Sequence, residues 1–291
     1  MIKRIIKRFL NLSKEWKRAH DIKSNIAPLI NHSSPVLNSI GSALYEALAN
    51  VWDEEENIIF STIEARRSFL ANCDEAIDIM DYGAGSPDSG RTKEEMENGI
   101  PLKMPISHIA GWSKPTFWAI FLHKIHKKIK PLSCLELGTC LGISAAYQAS
   151  ALNLNGGGKL TSLEGSPLIA KIAEQTLEQL KLDNFEIVVG PFHKTLSETL
   201  EAHKPIDFFF NDGHHDHDAV LNYFSMALPN LAKNAIVVLD DISWSDGMRN
   251  AWSKIVNHEK VASSIDLGEI GIIILGERLN RNPNIIIDLP I

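Results

Sequence analysis

Cysteine is scarce in this chain, with only Cys73, Cys134 and Cys140 among its 291 residues. These three show neither a CxxC pair nor the spacing of a zinc site. An odd and sparse set argues against a disulfide scaffold. Such cysteine usage is typical of a reducing compartment, so we expect a cytoplasmic protein.

Long hydrophobic runs are also missing. No segment approaches the roughly 18 to 20 consecutive apolar residues that a membrane-spanning helix needs. Hydrophobic residues still make up 44% of the chain and charged residues 22%, which are ordinary values for a globular protein with a sizeable core.

Most of the chain has little positive charge. The net charge is −7 overall, but residues 1–24 alone carry +6, so the remaining residues carry −13. An acidic body repels the phosphates of nucleic acid. We therefore expect no nucleic-acid partner.

The basic start, residues 1–24, also carries an apolar stripe. On a helix, Ile2, Ile5, Ile6, Phe9 and Leu12 fall on one face. Such a helix can lie on an anionic membrane surface, pack on its own domain, or pack on a second copy of the chain. Peripheral membrane contact and a homodimer are therefore both expectations.

The two halves of the chain differ in their hydrophobic rhythm. Residues 1–112 are mostly helical in pattern and form a predicted N-terminal extension, with a loop at 81–99 that could act as a lid. An amphipathic helix then runs from Ser113 to about Lys130, with Ser113 as its N-cap. From Ser133 onward, short apolar runs alternate with helices five times and end in a hairpin across Gly268-Glu269. This order predicts an α/β domain over 113–291 with a doubly wound, mostly parallel, seven-stranded sheet.

The segment LELGTCLGIS, residues 135–144, forms the turn after the first of these strands. Gly138 and Gly142 bracket the turn with a G-x-x-x-G spacing, whereas a nicotinamide dinucleotide requires G-x-G-x-x-G. The carboxylate of Glu136 beside the turn would repel a pyrophosphate but suits a cationic ligand. Glu164 ends the next strand, where a carboxylate can accept both hydroxyls of a ribose.

These motifs resemble the class I S-adenosylmethionine-dependent methyltransferases, and most closely the small-molecule O-methyltransferases related to catechol O-methyltransferase. The resemblance covers about residues 110–278, through E-L-G-x-x-x-G-x-S, Glu164, the Asp212 loop and the Asp240-Asp241 pair. It implies a Rossmann-like methyltransferase sheet and S-adenosyl-L-methionine as cofactor. The cofactor contacts that it implies are Glu136, Gly138, Gly142, Ser144, Glu164, Gly190, Phe192 and Asp212. A packing role for Phe192 is an open alternative.

The catechol-type enzymes bind Mg²⁺ through an aspartate after the fourth strand and an acidic pair after the fifth. The resemblance therefore implies a Mg²⁺ site made of Asp212, Asp240 and Asp241. Oxygen ligands at the carboxyl ends of parallel strands are consistent with this ion. The alternative is that Asp240 caps the next helix and Asp212 fixes its loop, without a metal.

The chain departs from the catechol-type enzymes at His215, three residues after Asp212, where those enzymes carry a lysine. A neutral imidazole can accept a proton near pH 7, so we predict His215 as general base and Asp212 and His215 as catalytic residues. His214 and His217 are expected to be loop residues or cofactor neighbours. Trp244 is expected to wall the acceptor pocket.

The predicted function is methyl transfer to an oxygen of a small-molecule acceptor, assisted by a divalent metal. One alternative is a metal-independent N- or carboxyl-methyltransferase. Another is a non-catalytic binding module that keeps the fold. The sequence does not identify the acceptor.

Overall fold

The computed structural model describes residues 23–85, 91–277 and 284–289. Apart from residues 23 and 24, the basic amphipathic segment lies outside these ranges. Its contact with a membrane or with a second copy therefore stays a prediction. Within the described ranges, no helix is both long and apolar enough to cross a bilayer.

The N-terminal extension contains helices and one pair of strands. Its elements are α1 (Ala27–Ile30), α2 (Pro35–Leu48), α3 (Glu54–Ala71), β1 (Ala76–Asp81), α4 (Lys93–Asn98), β2 (Ile100–Pro105) and α5 (Ile106–Ala110). Strands β1 and β2 pair with each other in antiparallel register, from Ala76 opposite Pro105 to Asp81 opposite Ile100. The mostly helical pattern did not predict this pair, and the predicted 81–99 loop contains α4.

Helix α3 ties the extension to the rest of the chain. Its N-terminus has a capping box, in which the Asp53 carboxylate accepts from the Glu56 amide and the Glu56 carboxylate accepts from the Asp53 amide. The same Glu56 carboxylate receives the ammonium of buried Lys124, at 2.7 Å from both oxygens. Lys124 belongs to the first helix of the following domain, so a buried ion pair joins the two parts.

The remainder alternates strands and helices. In order they are α6 (Thr116–Ile129), β3 (Ser133–Leu137), α7 (Ile143–Leu154), β4 (Lys159–Glu164), α8 (Pro167–Gln179), β5 (Phe185–Val189), α9 (Phe192–His203), β6 (Ile206–Asn211), α10 (His217–Ala227), β7 (Leu231–Leu239), α11 (Asp246–Val256), β8 (Val261–Asp266), β9 (Gly271–Leu275) and β10 (Asn284–Ile286). A single 3₁₀ turn, Leu228–Asn230, precedes β7. Helix α6 begins at Thr116, and Ser113 makes no side-chain cap. A residue before proline is disfavoured in the helical region, so the helix starts after Pro115.

The main sheet has the strand order β10-β8-β9-β7-β6-β3-β4-β5. Strands β3 to β7 are parallel to one another, and β9 runs antiparallel to both β7 and β8. This confirms the doubly wound, mostly parallel sheet with its closing hairpin. The expected count of seven strands is one too low, because the short strand β10 adds to the outer edge of β8.

Apolar layers cover both faces of this sheet. In β6, Phe208 and Phe210 pack into the layer on one face, and Phe209 packs into the layer on the other. All three side chains are fully buried, as expected for a central strand whose neighbouring residues point to opposite faces. The polar residues that follow Phe210 are thereby carried to the edge where the strand ends.

Candidate active site

The backbone beyond the strand ends is joined by hydrogen bonds that continue across the sheet. The Gly190 amide donates to Glu164, Gly138 to Leu163, Asp212 to Leu137, and Asp240 to Asn211, at 2.9 to 3.0 Å. Each bond links the exit of one strand to that of its neighbour. The predicted acidic residues are therefore held along one edge, as the parallel topology requires.

A cavity of about 780 Å³ opens above this edge. The predicted residues that line it are Gly138, Glu164, Phe192, Asp212, His215, Asp240 and Asp241. Its other walls come from the end of β1 with the following turn, from the segment before α6, and from Trp244 and Glu269. Its size falls within the usual range for small-molecule sites.

Three non-glycine residues in this wall have positive φ angles: Cys140 at 48°, His214 at 47° and Asp241 at 52°. Residues other than glycine rarely adopt this left-handed backbone conformation, because it costs free energy. Where they do adopt it, the residue is often at a binding or catalytic site. Each of the three follows a different parallel strand. The surrounding structure therefore holds the strand exits in fixed, unfavourable conformations around the cavity.

Gly138 allows the closest approach between two of these exits. Its φ is +95°, and a Cβ atom there would overlap the carbonyl oxygen of Asp212. Glycine is required for both reasons, because it tolerates positive φ and has no Cβ. The first glycine of the predicted motif thus brings the Asp212 loop against the turn that follows β3.

Glu164 lies at the β4 end of the cavity. Its Oε2 accepts from the Cys140 amide and its Oε1 from the Ser166 amide, each at 2.9 Å. Burial raises the pKa of this carboxyl to about 7, and the amide hydrogen bonds only partly oppose the rise. A carboxylate has about four acceptor sites, so both oxygens can accept further hydrogen bonds from a ligand.

The other predicted cofactor residues lie behind the cavity wall. Glu136 is fully buried and accepts from Gln148 at 2.7 Å and from Ser162 at 2.6 Å. Burial raises its pKa to about 7. Neither Glu136 nor Gly142, Ser144 and Gly190 belongs to the cavity lining. The structure thus places these four residues in support of the turns that carry the lining residues.

An acidic cluster occupies the β6 and β7 end of the cavity. The side-chain atoms of Asp212, His215 and Asp240 that could bind a metal ion lie within 4.8 Å of one another. The same holds for Asp240, Asp241 and Glu269. Burial, and then the neighbouring charge of Asp212, raise the pKa of Asp240 well above its ordinary value. So many carboxylates at short range repel each other, and either a bound proton or a nearby cation relieves that repulsion.

Lys114 supplies positive charge inside this cluster. Its side chain is only 6% exposed, its ammonium is paired with Oδ2 of Asp240, and the same nitrogen lies 3.6 Å from Oε1 of Glu269. Burial disfavours the charged form, but Asp212 and Asp240 outweigh it and hold the pKa of Lys114 above its usual value. Sequence reasoning missed both Lys114 and Glu269, since Lys114 is 126 residues away from Asp240 along the chain.

His215 lies between two of the carboxylates. Its Nδ1 is 2.9 Å from Oδ2 of Asp241 and its Nε2 is 3.5 Å from Oδ1 of Asp212. Burial opposes protonation, but the two carboxylates raise the pKa of His215 to about 10. In this arrangement the ring is an imidazolium at pH 7. It can act as a base only after it has lost that proton, which the two carboxylates oppose.

The two neighbouring histidines have separate partners. The Tyr223 hydroxyl and Nδ1 of His214 are 2.8 Å apart, while Nδ1 of His217 lies 2.7 Å from Asp218. The three imidazoles of this stretch therefore do not converge on one point. His214 lines the cavity, whereas His217 begins helix α10.

Aromatic side chains complete the walls. Phe192 packs edge-on against His214 and Tyr223, with ring centroids 5.7 Å apart in both cases. It also lines the cavity, so its packing contacts leave the predicted cofactor contact open, and that contact stays a prediction. Trp244 is 42% exposed at the cavity rim, while Trp252 is 5% exposed and in the core.

Residues 135–242 match the family model of the methyltransferase domain. No curated protein sequence matches the chain. Among solved structures, it is similar to the O-methyltransferase TomG from Streptomyces achromogenes, in complex with S-adenosylmethionine, with 23% identity and a TM-score of 0.50 over 57% of this chain and 82% of that one.

Two further structures resemble a larger part of the chain. An O-methyltransferase from Bacillus cereus, in complex with S-adenosylhomocysteine, has 17% identity and a TM-score of 0.51 over 83% of this chain and 100% of that one. The S-adenosylhomocysteine-bound methyltransferase PaMTH1 from Podospora anserina has 15% identity and a TM-score of 0.51 over 78% and 98%. At these identities the likeness shows the fold. The likeness therefore confirms the predicted Rossmann-like methyltransferase sheet, and the match to the methyltransferase domain covers residues 135–242.

Proposed function

We propose that this chain, whose residues 135–242 match the methyltransferase domain, transfers a methyl group from S-adenosylmethionine to an oxygen of a small-molecule acceptor. One observation carries the proposal: a single cavity contains Glu164 and the acidic cluster. Glu164 ends β4 and Asp240 follows β7, three strands away in the sheet order. At about 4.8 Å per strand, the two lie about 14 Å apart across the sheet, which leaves room for a cofactor and an acceptor side by side.

Glu164 is the proposed anchor of the cofactor. Its two oxygens are already oriented by the Cys140 and Ser166 amides, so they do not have to be reordered when a ribose binds. The cavity wall beside it contains Gly138 and Phe192. A cationic sulfonium would then point toward the acidic cluster, where the negative charge stabilises it.

The acceptor oxygen would attack the methyl carbon, the carbon–sulfur bond would break, and its electron pair would remain on sulfur as S-adenosylhomocysteine forms. The proton of the acceptor hydroxyl must pass to a base. Most of the acceleration would come from holding the oxygen in line with the methyl group. The residues around the acidic cluster, including Trp244 at the rim, are placed to position the acceptor.

The role of His215 as base stays a prediction. The ring is within reach of the cluster, but Asp212 and Asp241 hold it protonated at pH 7. It can act as a base once it has lost its proton, either because the pH rises or because another cation takes over the two carboxylates. Replacing it with glutamine should then lower turnover by roughly 10²- to 10⁴-fold, which is the usual contribution of a positioned base.

A metal-assisted form of this reaction is the second candidate. Among the described side chains, Oδ1 of Asp240 and Nε2 of His215 are buried without a hydrogen-bond partner, and the oxygen-rich donor set suits Mg²⁺. When bound, such an ion would lower the pKa of an acceptor hydroxyl. However, Asp240 already holds the ammonium of Lys114, so Asp212, Asp240 and Asp241 do not fit the ion as they stand. No step is therefore assigned to a metal.

The experiment is a mass-spectrometric screen with S-adenosylmethionine that carries a trideuterated methyl group. Purified full-length protein is incubated with panels of phenols, alcohols, amines and carboxylic acids. The proposal expects the label on a hydroxyl oxygen. Label found only on nitrogen or on a carboxylate would support the N- or carboxyl-methyltransferase alternative. Binding of S-adenosylhomocysteine with no labelled product in any panel would support the binding module.

A further inference from the structure

Lys114 is held in the acidic cluster by its own backbone as well as by its charge. Its carbonyl oxygen accepts from Nη1 of Arg67 at 2.9 Å, and Arg67 in turn is 3.0 Å from Glu64 on the same helix, α3. The next residue but one, Thr116, donates to Glu64 at 3.0 Å. The segment that carries Lys114 is thus fixed to α3 at the Lys114 carbonyl and again at Thr116, which distinguishes Lys114 from a free surface lysine.

We propose that the ammonium of Lys114 is the resident cation of the acceptor end, in the position that resemblance assigns to Mg²⁺. This inference rests on the proposed methyl transfer and names the group that replaces the ion. Asp240, whose side chain is 1% exposed, pairs directly with this nitrogen, and Glu269 faces it from the β8–β9 turn. A buried carboxylate without such a partner would be strongly unfavourable.

The geometry also gives Lys114 a task toward the acceptor. An ammonium has three N–H groups, and in the described part of the chain its charged partners within 4.0 Å are Asp240 and Glu269. Lys114 lines the cavity, so a remaining N–H can donate to the acceptor oxygen. Fixed positive charge at that point stabilises the negative charge that develops as the hydroxyl proton leaves for the base.

The ammonium and a divalent ion compete for the same carboxylates. An ion bound to Asp240, even through the unpartnered Oδ1, would lie beside the ammonium on Oδ2, and repulsion between the two cations would disfavour it while Lys114 stays in place. The intact protein should therefore bind divalent cations poorly, and removing the lysine side chain should turn the cluster into a divalent site. If Lys114 only filled space in a magnesium enzyme, the opposite would be seen: the wild type would bind the ion, and removing the lysine side chain would add no site.

The test is a titration of the full-length protein with Mn²⁺, followed by the loss of the free-ion signal in electron paramagnetic resonance. Lys114→Ala should bind one Mn²⁺ at least about tenfold more tightly than the wild type, and Lys114→Arg should resemble the wild type. Lys128→Ala is the matched control, because it removes a lysine that contacts a carboxylate, Glu46, at 2.6 Å, and neither residue lines the cavity. Lys124 still lies 3.3 Å from Glu46 in this variant. The control should gain no Mn²⁺ site.

Stoichiometric Mn²⁺ binding by the wild type, with no gain in Lys114→Ala, would overturn the inference. If Lys114→Ala is too unstable to titrate, Lys114→Gln is compared with the wild type by thermal unfolding with and without Mn²⁺. An ion-dependent rise in Tm confined to the variant supports the inference, because an ion that binds only the folded state stabilises it. S-adenosylhomocysteine affinity, measured alongside, tests the proposed function separately.

Discussion

The Nδ1 atom of His215 lies 2.9 Å from Oδ2 of Asp241, one residue beyond the aspartate that holds Lys114. The adjacent aspartates thus each hold a different cationic side chain. Asp241 reaches its partner from a left-handed backbone conformation, with φ at 52°. The strain is tolerated because it turns two neighbouring carboxylates toward two separate positive groups.

His215→Gln should change how stability depends on pH. The folded pKa of about 10 lies above the ordinary value of 6.5, so the stabilisation is fully present below pH 6.5 and is lost as pH rises toward 10. The difference in free energy of unfolding between wild type and variant, measured with urea, should narrow between pH 7 and pH 10. His217→Gln should retain the wild-type trend, since it leaves His215 in place. A gap that does not change over this range would contradict the ion pairs.

Gly138→Ala should disrupt the site, whereas Gly156→Ala should not. Both glycines have positive φ, at +95° and +76°, but only at Gly138 would a Cβ meet another atom, the carbonyl oxygen of Asp212. The backbone strain costs about 1 to 3 kcal/mol in either variant. Gly138→Ala must also push the Asp212 loop away. Calorimetry should show at least about tenfold weaker S-adenosylhomocysteine binding for Gly138→Ala and unchanged binding for Gly156→Ala.

Asp240→Ala should destabilise the protein more than Asp241→Ala. The first change leaves the ammonium of Lys114 buried without its main partner, which typically costs about 3 to 5 kcal/mol. The second removes a side chain that is 22% exposed and frees His215 to lose its proton. Chemical unfolding measures the difference. Both variants should still bind S-adenosylhomocysteine, because the proposed cofactor end of the cavity is the one with Glu164. Loss of that binding in both variants would contradict this assignment.

Cofactor affinity should depend on the charge of Glu164. Its pKa of about 7 in the free protein means that the carboxyl is partly protonated near neutrality. The ionised form accepts from both ribose hydroxyls more strongly than the protonated form, which keeps one oxygen as a donor, so the affinity should rise with pH from 6 to 8 and then level off. Glu164→Gln should bind more weakly, by about 1 to 3 kcal/mol, and without this pH trend. A wild-type affinity that is constant from pH 6 to pH 8 would argue against the ribose contact.

The strand-exit residues could be predicted because topology determines where they lie. Parallel strands end at one edge, so Glu164, Asp212 and the Asp240-Asp241 pair had to meet once each was assigned to a strand end. Glu136 shows the limit of this reasoning. It alternates with Leu135 and Leu137, which pack in one apolar layer, so its side chain points to the other face and into the cover of α7. A strand position therefore identifies the edge, but the pleat decides which side chain reaches the ligand.

Lys114 and Glu269 could not be predicted, because neither belongs to a periodic pattern. One precedes a proline before a helix, and the other lies in a hairpin turn. Local rules describe such positions only as loop and turn. Lys114 is brought to the cavity by the packing of α3, through Glu64 and Arg67, against the segment before α6. Glu269 is brought there by the β8–β9 turn, where its carbonyl oxygen accepts from the Ile242 amide at 2.9 Å. The antiparallel strands β1 and β2 were missed although Ile77, Asp78 and Ile79 alternate as a strand does, because this alternation is short and lies among helical patterns.

The most direct measurement is a calorimetric titration of full-length protein, treated with EDTA, with S-adenosylhomocysteine and, separately, with NAD⁺. The account predicts that one S-adenosylhomocysteine binds per chain without added metal, that Glu164→Gln weakens this binding, and that NAD⁺ gives no comparable heat. Tighter binding of NAD⁺, or S-adenosylhomocysteine binding that Glu164→Gln leaves unchanged, would contradict it.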